Sequence, residues 1–182
     1  SNSALVEDTL RNRVGKVDWI FVLAGGGGGT GSACNILHDS LERHLKSVGG
    51  TGKIVYIITK PTAQELLNPT LTTNFESIQR DVKLHPHILI DNEKQLQLLR
   101  GRVGLLGLFP AANKNFAKLL WNVFKLANES SPIQSFDSKD LERCLSVPGR
   151  IVIGSTVVKD MNKQDMGSVL YQGCLRSSPC PQ

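Results

Sequence analysis

Aromatic residues make up only 5% of this 182-residue chain, too few for the stacked platforms that hold single-stranded nucleic acids. Lys and Arg number 21 against 16 Asp and Glu, a net charge of +5, but the cations are dispersed (Arg11, Arg13, Lys16, Arg43, Lys46, Arg100, Arg102, Lys114, Lys118) and no five occur in a run. Such a surface permits contact with acidic partners without arguing for it, and direct nucleic-acid binding is not expected. No stretch reaches the roughly 18 apolar residues of a membrane-spanning helix. The four cysteines, Cys34, Cys144, Cys174 and Cys180, form no Cys-x-x-Cys pair, and no histidine stands at metal-ligand spacing from another. Free thiols in a reducing cytoplasm and no metal held by protein side chains are the expectations. A signal peptide and internal repeats are also missing; Ser1-Asn2-Ser3 reads as a cloning scar before a helix, so upstream sequence is expected.

What is abundant is glycine in one place. Gly25-Gly26-Gly27-Gly28-Gly29-Thr30-Gly31-Ser32 follows the apolar run Trp19-Ile20-Phe21-Val22-Leu23 and precedes the amphipathic stretch Cys34 to Leu45. Strand, glycine loop and helix together make an anion site from backbone. Lacking Cβ atoms, such a loop can take positive φ and let phosphate oxygens reach its N–H groups, and the helix adds unpaired N–H groups of its own. Five successive glycines lose much backbone entropy on folding with no packing in return, which favours a functional reason for them. A P-loop is disfavoured, because Ser32 stands where its lysine should reach the phosphates. A dinucleotide fold is disfavoured too, because the next strand ends Ile58-Thr59-Lys60 without the acid that would bind a ribose.

The hydrophobic content of 40% supports a packed core of ordinary domain size. The patterns predict helix 4–14, strand 18–24, helix 31–47, strand 53–59, helix 71–83, strand 87–91, helices 92–100 and 110–128, a loop 129–136, helix 138–146, strand 150–158 and helix 165–177. The early strands are short, apolar and β-branched (Ile54 to Ile58, Ile88 to Ile90) and alternate with helices. The expected fold class is therefore α/β, a mostly parallel Rossmann-like sheet flanked by helices and buried on both faces. In such sheets the ligand lies beyond the carboxyl ends of the strands, where the glycine loop, Thr59-Lys60-Pro61 and Asp91-Asn92 all fall.

Gly27-Gly28-Gly29-Thr30-Gly31-Ser32 resembles the GGGTG[ST]G phosphate signature of the tubulin/FtsZ superfamily, with Ala33 in the last place. Further segments resemble that family in the same order along residues 5–178. Ile58-Thr59-Lys60-Pro61 is similar to its ribose-side loop, Ile90-Asp91-Asn92-Glu93 with Leu96 to the tubulin IDNE-L segment, and Leu108-Phe109-Pro110-Ala111-Ala112-Asn113 to the start of its central helix. Phe136-Asp137-Ser138-Lys139-Asp140-Leu141 resembles the catalytic loop, and Val147-Pro148-Gly149-Arg150-Ile151 the lead into the next strand.

The resemblance implies a GTPase that binds GTP or GDP, with Mg2+ accompanying the nucleotide. It implies phosphate contacts from Gly25, Gly26, Gly27, Gly28, Gly29, Thr30, Gly31 and Ser32, ribose-side contacts from Pro61 and Glu65, and base contacts from Asn92, Phe109 and Asn113. An amide offers the donor and acceptor that guanine's edge requires; Lys114 stands where FtsZ has an Asp. Asp137 and Asp140 would act as the catalytic acids, inserted into the neighbouring subunit. They also read as an N-cap and its capping box, a role compatible with catalysis. A helix N-cap is read at Asn92 as well. One subunit then holds nucleotide and the next supplies the acids, so copies stack head to tail into filaments.

The implied division is residues 1–108, the second half of the nucleotide domain; 109–136, the central helix and connector; and 137–182, the catalytic loop and the start of the activation domain. The family's first strands would lie upstream and leave a bare sheet edge. The implied parent is a cytoplasmic cytoskeletal protein of cell division, or of plasmid or phage DNA positioning, that partners itself and adaptor proteins. A non-hydrolysing nucleotide-binding homologue is the alternative.

Overall fold

The structure is a computed structural model, which describes residues 2–128, 137–158 and 165–181. The sheet is built first from β1 (Ile20–Gly25), β2 (Ile54–Lys60) and β3 (Pro86–Asp91), all parallel. A short β4 (Gly149–Ile151) pairs in parallel with β3, so the order is β1-β2-β3-β4. Between and around them run α1 (Asn2–Arg13), α2 (Gly29–Ser32), α3 (His38–Ser47), α4 (Pro69–Val82), α5 (Asn92–Leu99), α6 (Leu108–Asn128), α7 (Ser138–Ser146) and α8 (Met166–Ser177). This is the α/β, Rossmann-like sheet that the sequence predicts.

The two-residue period of β2 divides the core. Ile54, Tyr56 and Ile58 point to one face and pack with Leu41 of α3 and with Phe75, Ile78 and Val82 of α4. Val55 meets Ala127, Leu141 and Leu145 of α6 and α7, while Ile57 packs with Ile88, Ile90 and Cys180. Every residue from Ile54 to Ile58 is buried, as a central parallel strand demands. Burial of each such side chain contributes about 1.5–3 kcal/mol relative to exposure. β1 is different. It pairs only with β2 among the described residues, and its Leu23 is 68% exposed. It is an open sheet edge, not a strand buried on both faces.

Three expectations are corrected. The predicted helix 31–47 is broken: α2 ends at Ser32, a 3-10 turn spans Cys34–Leu37, and α3 begins at His38. The Ser32 hydroxyl donates to the Gly29 carbonyl, a local bond that competes with helix continuation. The predicted strand 150–158 is confined to Gly149–Ile151. Beyond it the Ile153 and Ser155 carbonyls accept from the Ser178 and Ser177 hydroxyls at the end of α8 instead of from a neighbouring strand. The helix N-cap is Asp91, not Asn92: the Asp91 carboxylate accepts from the Lys94 amide, and Asn92 is the first helical residue. The predicted loop 129–136 lies outside the described residues.

A titratable cluster lies at the α3–sheet contact. His38 Nδ1 is 3.0 Å from the buried Tyr56 hydroxyl, and the His38 and His85 rings are 4.0 Å apart. Burial pushes the Tyr56 phenol well above its ordinary range. Burial and the neighbouring His38 lower His85 below its ordinary 6.5, against a smaller opposing pull from Glu42. The unfolded chain therefore binds a proton at His85 before the folded chain does. Stability from this group is full above about pH 6.5 and is lost as pH falls toward the depressed folded value. The melting temperature should drop between pH 7 and pH 5, and His85→Gln should flatten that slope. An unaltered slope in the variant would assign the dependence to other groups.

Candidate functional site

The register of the sheet brings the strand ends to one level: Gly25 lies opposite Thr59, and Lys60 opposite Asp91. There Lys60 Nζ donates to Asp91 Oδ2 at 3.0 Å, while Asp91 Oδ1 caps α5. Asp91 is only 7% exposed and its backbone N–H donates to the Pro179 carbonyl. The pair ties β2 to β3 where the loops leave the sheet. Removing either partner would leave a mostly buried charge uncompensated.

Above this level opens a cleft of about 200 Å3 lined by Gly25 to Gly28, Thr59, Pro61, Glu65, Leu71 and Asn92. The structure thus brings together Gly25, Gly26, Gly27, Gly28, Pro61, Glu65 and Asn92. Gly29, Thr30, Gly31 and Ser32 continue the same loop through α2. Phe109 and Asn113 lie in the first two turns of α6 and do not line the cleft; Phe109 is 49% exposed rather than packed in the core. Asp137 and Asp140 lie at the start of α7, also away from the cleft.

No glycine of the loop takes positive φ; that conformation is adopted by Gly15, Gly49, Gly101 and Gly149. The loop's need for glycine is one of space. A Cβ on Gly26 would stand 2.6 Å from Phe75 Cδ2 and 2.8 Å from the Thr59 carbonyl oxygen. One on Gly27 would meet Pro61 Cγ at 2.9 Å, and one on Gly31 would collide with the Gly25 carbonyl oxygen. At Gly28 and Gly29, by contrast, nothing of the protein lies within 4 Å of the added atom. Protein contacts therefore explain Gly26, Gly27 and Gly31; a Cβ on Gly25 would make only ordinary contact with Thr59 Oγ1 at 3.8 Å, and Gly28 and Gly29 face open space. Among the described residues the N–H groups of Gly27 and Gly28 meet no acceptor. Bare amides beside space that a Cβ would fill are what an oxyanion needs.

The loop is braced from both sides. The Gly26 amide donates to the Thr59 carbonyl at 2.9 Å, and Asn74 Nδ2 donates to the Gly27 carbonyl at 3.0 Å. Asn74 and Leu71 are absent from the sequence reading of the site. A signal was present, since Asn74 is the polar member of the otherwise apolar helical stripe Leu71, Asn74, Phe75, Ile78, Val82. Glu65 Oε2 accepts from the Thr62 amide at 2.7 Å and the Thr62 hydroxyl at 2.8 Å, which fixes this acid at the rim.

At α7 the capping box is complete. Asp137 Oδ1 accepts from the Lys139 and Asp140 amides, each at 2.9 Å. Asp140 Oδ2 takes back the Asp137 amide at a long 3.4 Å, and its Oδ1 is 3.7 Å from Arg143. Asp137 is committed to the helix, whereas Asp140 keeps most of its accepting capacity.

No family model matches the chain. A curated relative, the cell division protein FtsZ of Wigglesworthia glossinidia brevipalpis, is 26% identical over 173 residues, covering 89% of this chain and 41% of its own length. CetZ from Methanosaeta thermophila superposes with a TM-score of 0.72 at 20% identity, over all of this chain and 49% of CetZ. TubZ of Bacillus thuringiensis serovar israelensis, solved as a GTPγS-form protofilament, gives a TM-score of 0.67 at 17% identity, over 94% of this chain and 48% of TubZ. The parallel sheet and the cleft at its carboxyl ends define an α/β domain of Rossmann-like architecture, the fold that these structures share. In sequence and in fold the chain is similar to tubulin/FtsZ superfamily proteins, and it spans less than half the length of the curated relative it matches.

The two kinds of glycine separate by stability. Gly31→Ala should lower unfolding free energy by about 1–3 kcal/mol, since backbone must move to admit the methyl group. Gly28→Ala, at φ −83° and in open space, should be neutral or stabilising by up to about 1 kcal/mol. Urea denaturation of both variants checks this, and equal losses would refute the division.

Proposed function

We propose that this chain is part of a GTP-binding and GTP-hydrolysing filament protein, with nucleotide in the cleft at the strand ends and hydrolysis completed by a neighbouring copy. The observation that carries the reading is the pair Gly28–Gly29, with open space over them beside the unpaired amides of Gly27 and Gly28. In this reading Gly25 to Ser32 wrap the phosphates, Pro61 and Glu65 flank the ribose, and Asn92 and Asn113 read the base. The exposed Phe109 ring stacks on the purine. Among the described residues no group of three His, Cys, Asp or Glu is placed to hold a metal. Mg2+ would accompany the nucleotide and neutralise phosphate charge.

Asp137 and Asp140 are assigned different tasks. Asp137 uses its carboxylate to start α7 and so fixes the loop; Asp140 presents the less committed carboxylate. Delivered to the next subunit's nucleotide, Asp140 would orient a water for in-line attack. Phosphoryl transfer depends mainly on such positioning and on electrostatics. An acid that does not line its own chain's cleft would act on the nucleotide of a second copy, and head-to-tail copies extend as filaments. The TubZ neighbour solved as a protofilament supports that reading. Residues 1–108 would then be part of the nucleotide domain, 109–136 the central helix and connector, and 137–182 the catalytic loop and the start of the activation domain. A role in cell division or DNA positioning, in the cytoplasm and with adaptor proteins, completes the proposal.

The test uses the intact protein. Asp140→Asn retains an oxygen for the capping box but not the charge. Turnover per subunit should fall by about tenfold or more, GTP affinity should stay within about twofold, and filaments should still sediment with GTP. Unchanged turnover would rule out the split site.

A further inference from the structure

On the α4 face of the sheet, away from the glycine cleft, lies a concavity of about 350 Å3. Its floor is the buried apolar set Ile58, Val82 and Leu89, and its walls carry Arg80, Lys83, His87 and Arg150. No acid lines it. The basic side chains come from separate elements: Arg80 and Lys83 from the end of α4, the His87 imidazole from β3, and Arg150 from β4, where the register sets it opposite His87. A helix C-terminus accounts for Arg80 and Lys83, but not for two further basic groups delivered by the sheet. Among the described residues none of Arg80, Lys83 and Arg150 forms an ion pair. His87 Nδ1 donates to the His85 carbonyl at 2.9 Å, which fixes the ring at the wall of the hollow.

Three uncompensated cations around one hollow repel one another, and an anion placed among them relieves that repulsion. Two guanidiniums favour a group that accepts paired hydrogen bonds, as phosphate does. The apolar floor suits an organic body attached to it, and the volume lies in the range of small-molecule sites. We propose that this hollow is a second anion site, distinct from the glycine cleft, that binds the phosphate group of a small molecule.

The test is calorimetric titration of the 182-residue chain carrying Gly28→Val, chosen to obstruct the glycine cleft from a position where an added Cβ meets no protein atom within 4 Å. Inorganic pyrophosphate and phenyl phosphate serve as probes of free and organic phosphate. At least one should bind, and Arg80→Ala or Arg150→Ala should each weaken it by about tenfold. Arg150→Lys should restore part of the loss, and raising salt from about 50 to 300 mM should weaken binding, because the site is charged and open to solvent. These side chains are exposed, so melting temperatures of the variants should match the parent. Tighter phenyl phosphate identifies an organic occupant and equal affinities a free phosphate; both uphold the site. Absence of binding by either probe, or affinities unmoved by Arg80→Ala and Arg150→Ala, would overturn it.

Discussion

Parallel, in-register pairing of β1, β2 and β3 is the constraint on which the rest depends. Because the strands run the same way, their carboxyl ends finish together, and three loops that are far apart in sequence share one rim. Gly25 meets Thr59 and Lys60 meets Asp91 there. Parallel strands need crossover helices, which bury β2 on both faces. The Lys60–Asp91 pair then joins two of the loops at their bases, and the same Asp91 starts α5. One carboxylate thus fixes a sheet end, a helix start and the approach of Asn92 to the cleft.

The glycine loop shows how tightly that rim is filled. Its shape is ordinary in backbone angle and unusual in crowding. Gly26 is wedged under Phe75, Gly27 against Pro61, and Gly31 over the Gly25 carbonyl. Only Gly28 and Gly29 look outward. Evolution of such a loop is limited from two sides, by the protein beneath it and by the ligand proposed above it. Asp137 and Asp140, the acids proposed for catalysis, do not line this rim, so the proposed chemistry would be a property of assembly rather than of one chain.

Much of this was legible in the chain itself. The β-branched runs Ile54 to Ile58 and Ile88 to Ile90 announced buried parallel strands, and the Asp137/Asp140 spacing announced a capping box that the structure contains. The glycine run marked the cleft. Other features were not readable, because they depend on contacts between distant segments. Asn74 reaches Gly27 across 47 positions of sequence, and its helical stripe gave only a hint. The break of helix 31–47 follows from a local Ser32–Gly29 bond that competes with an otherwise helical pattern. The shortening of β4 follows from the Ser177 and Ser178 hydroxyls of a later helix taking carbonyls that a strand would use.

By itself the sequence determined the class of fold, the order of its elements and the place of the glycine loop at the strand ends, because periodicity and glycine content are local properties that reflect burial and backbone access. Tertiary structure decided which glycines serve the fold and which face open space, since φ and Cβ clearance depend on neighbours such as Phe75, Pro61 and Gly25. It also decided that Asp91 rather than Asn92 caps α5. And it gathered Arg80, Lys83, His87 and Arg150 around one hollow, a grouping set by strand register and the docking of α4 that no spacing along the chain could reveal.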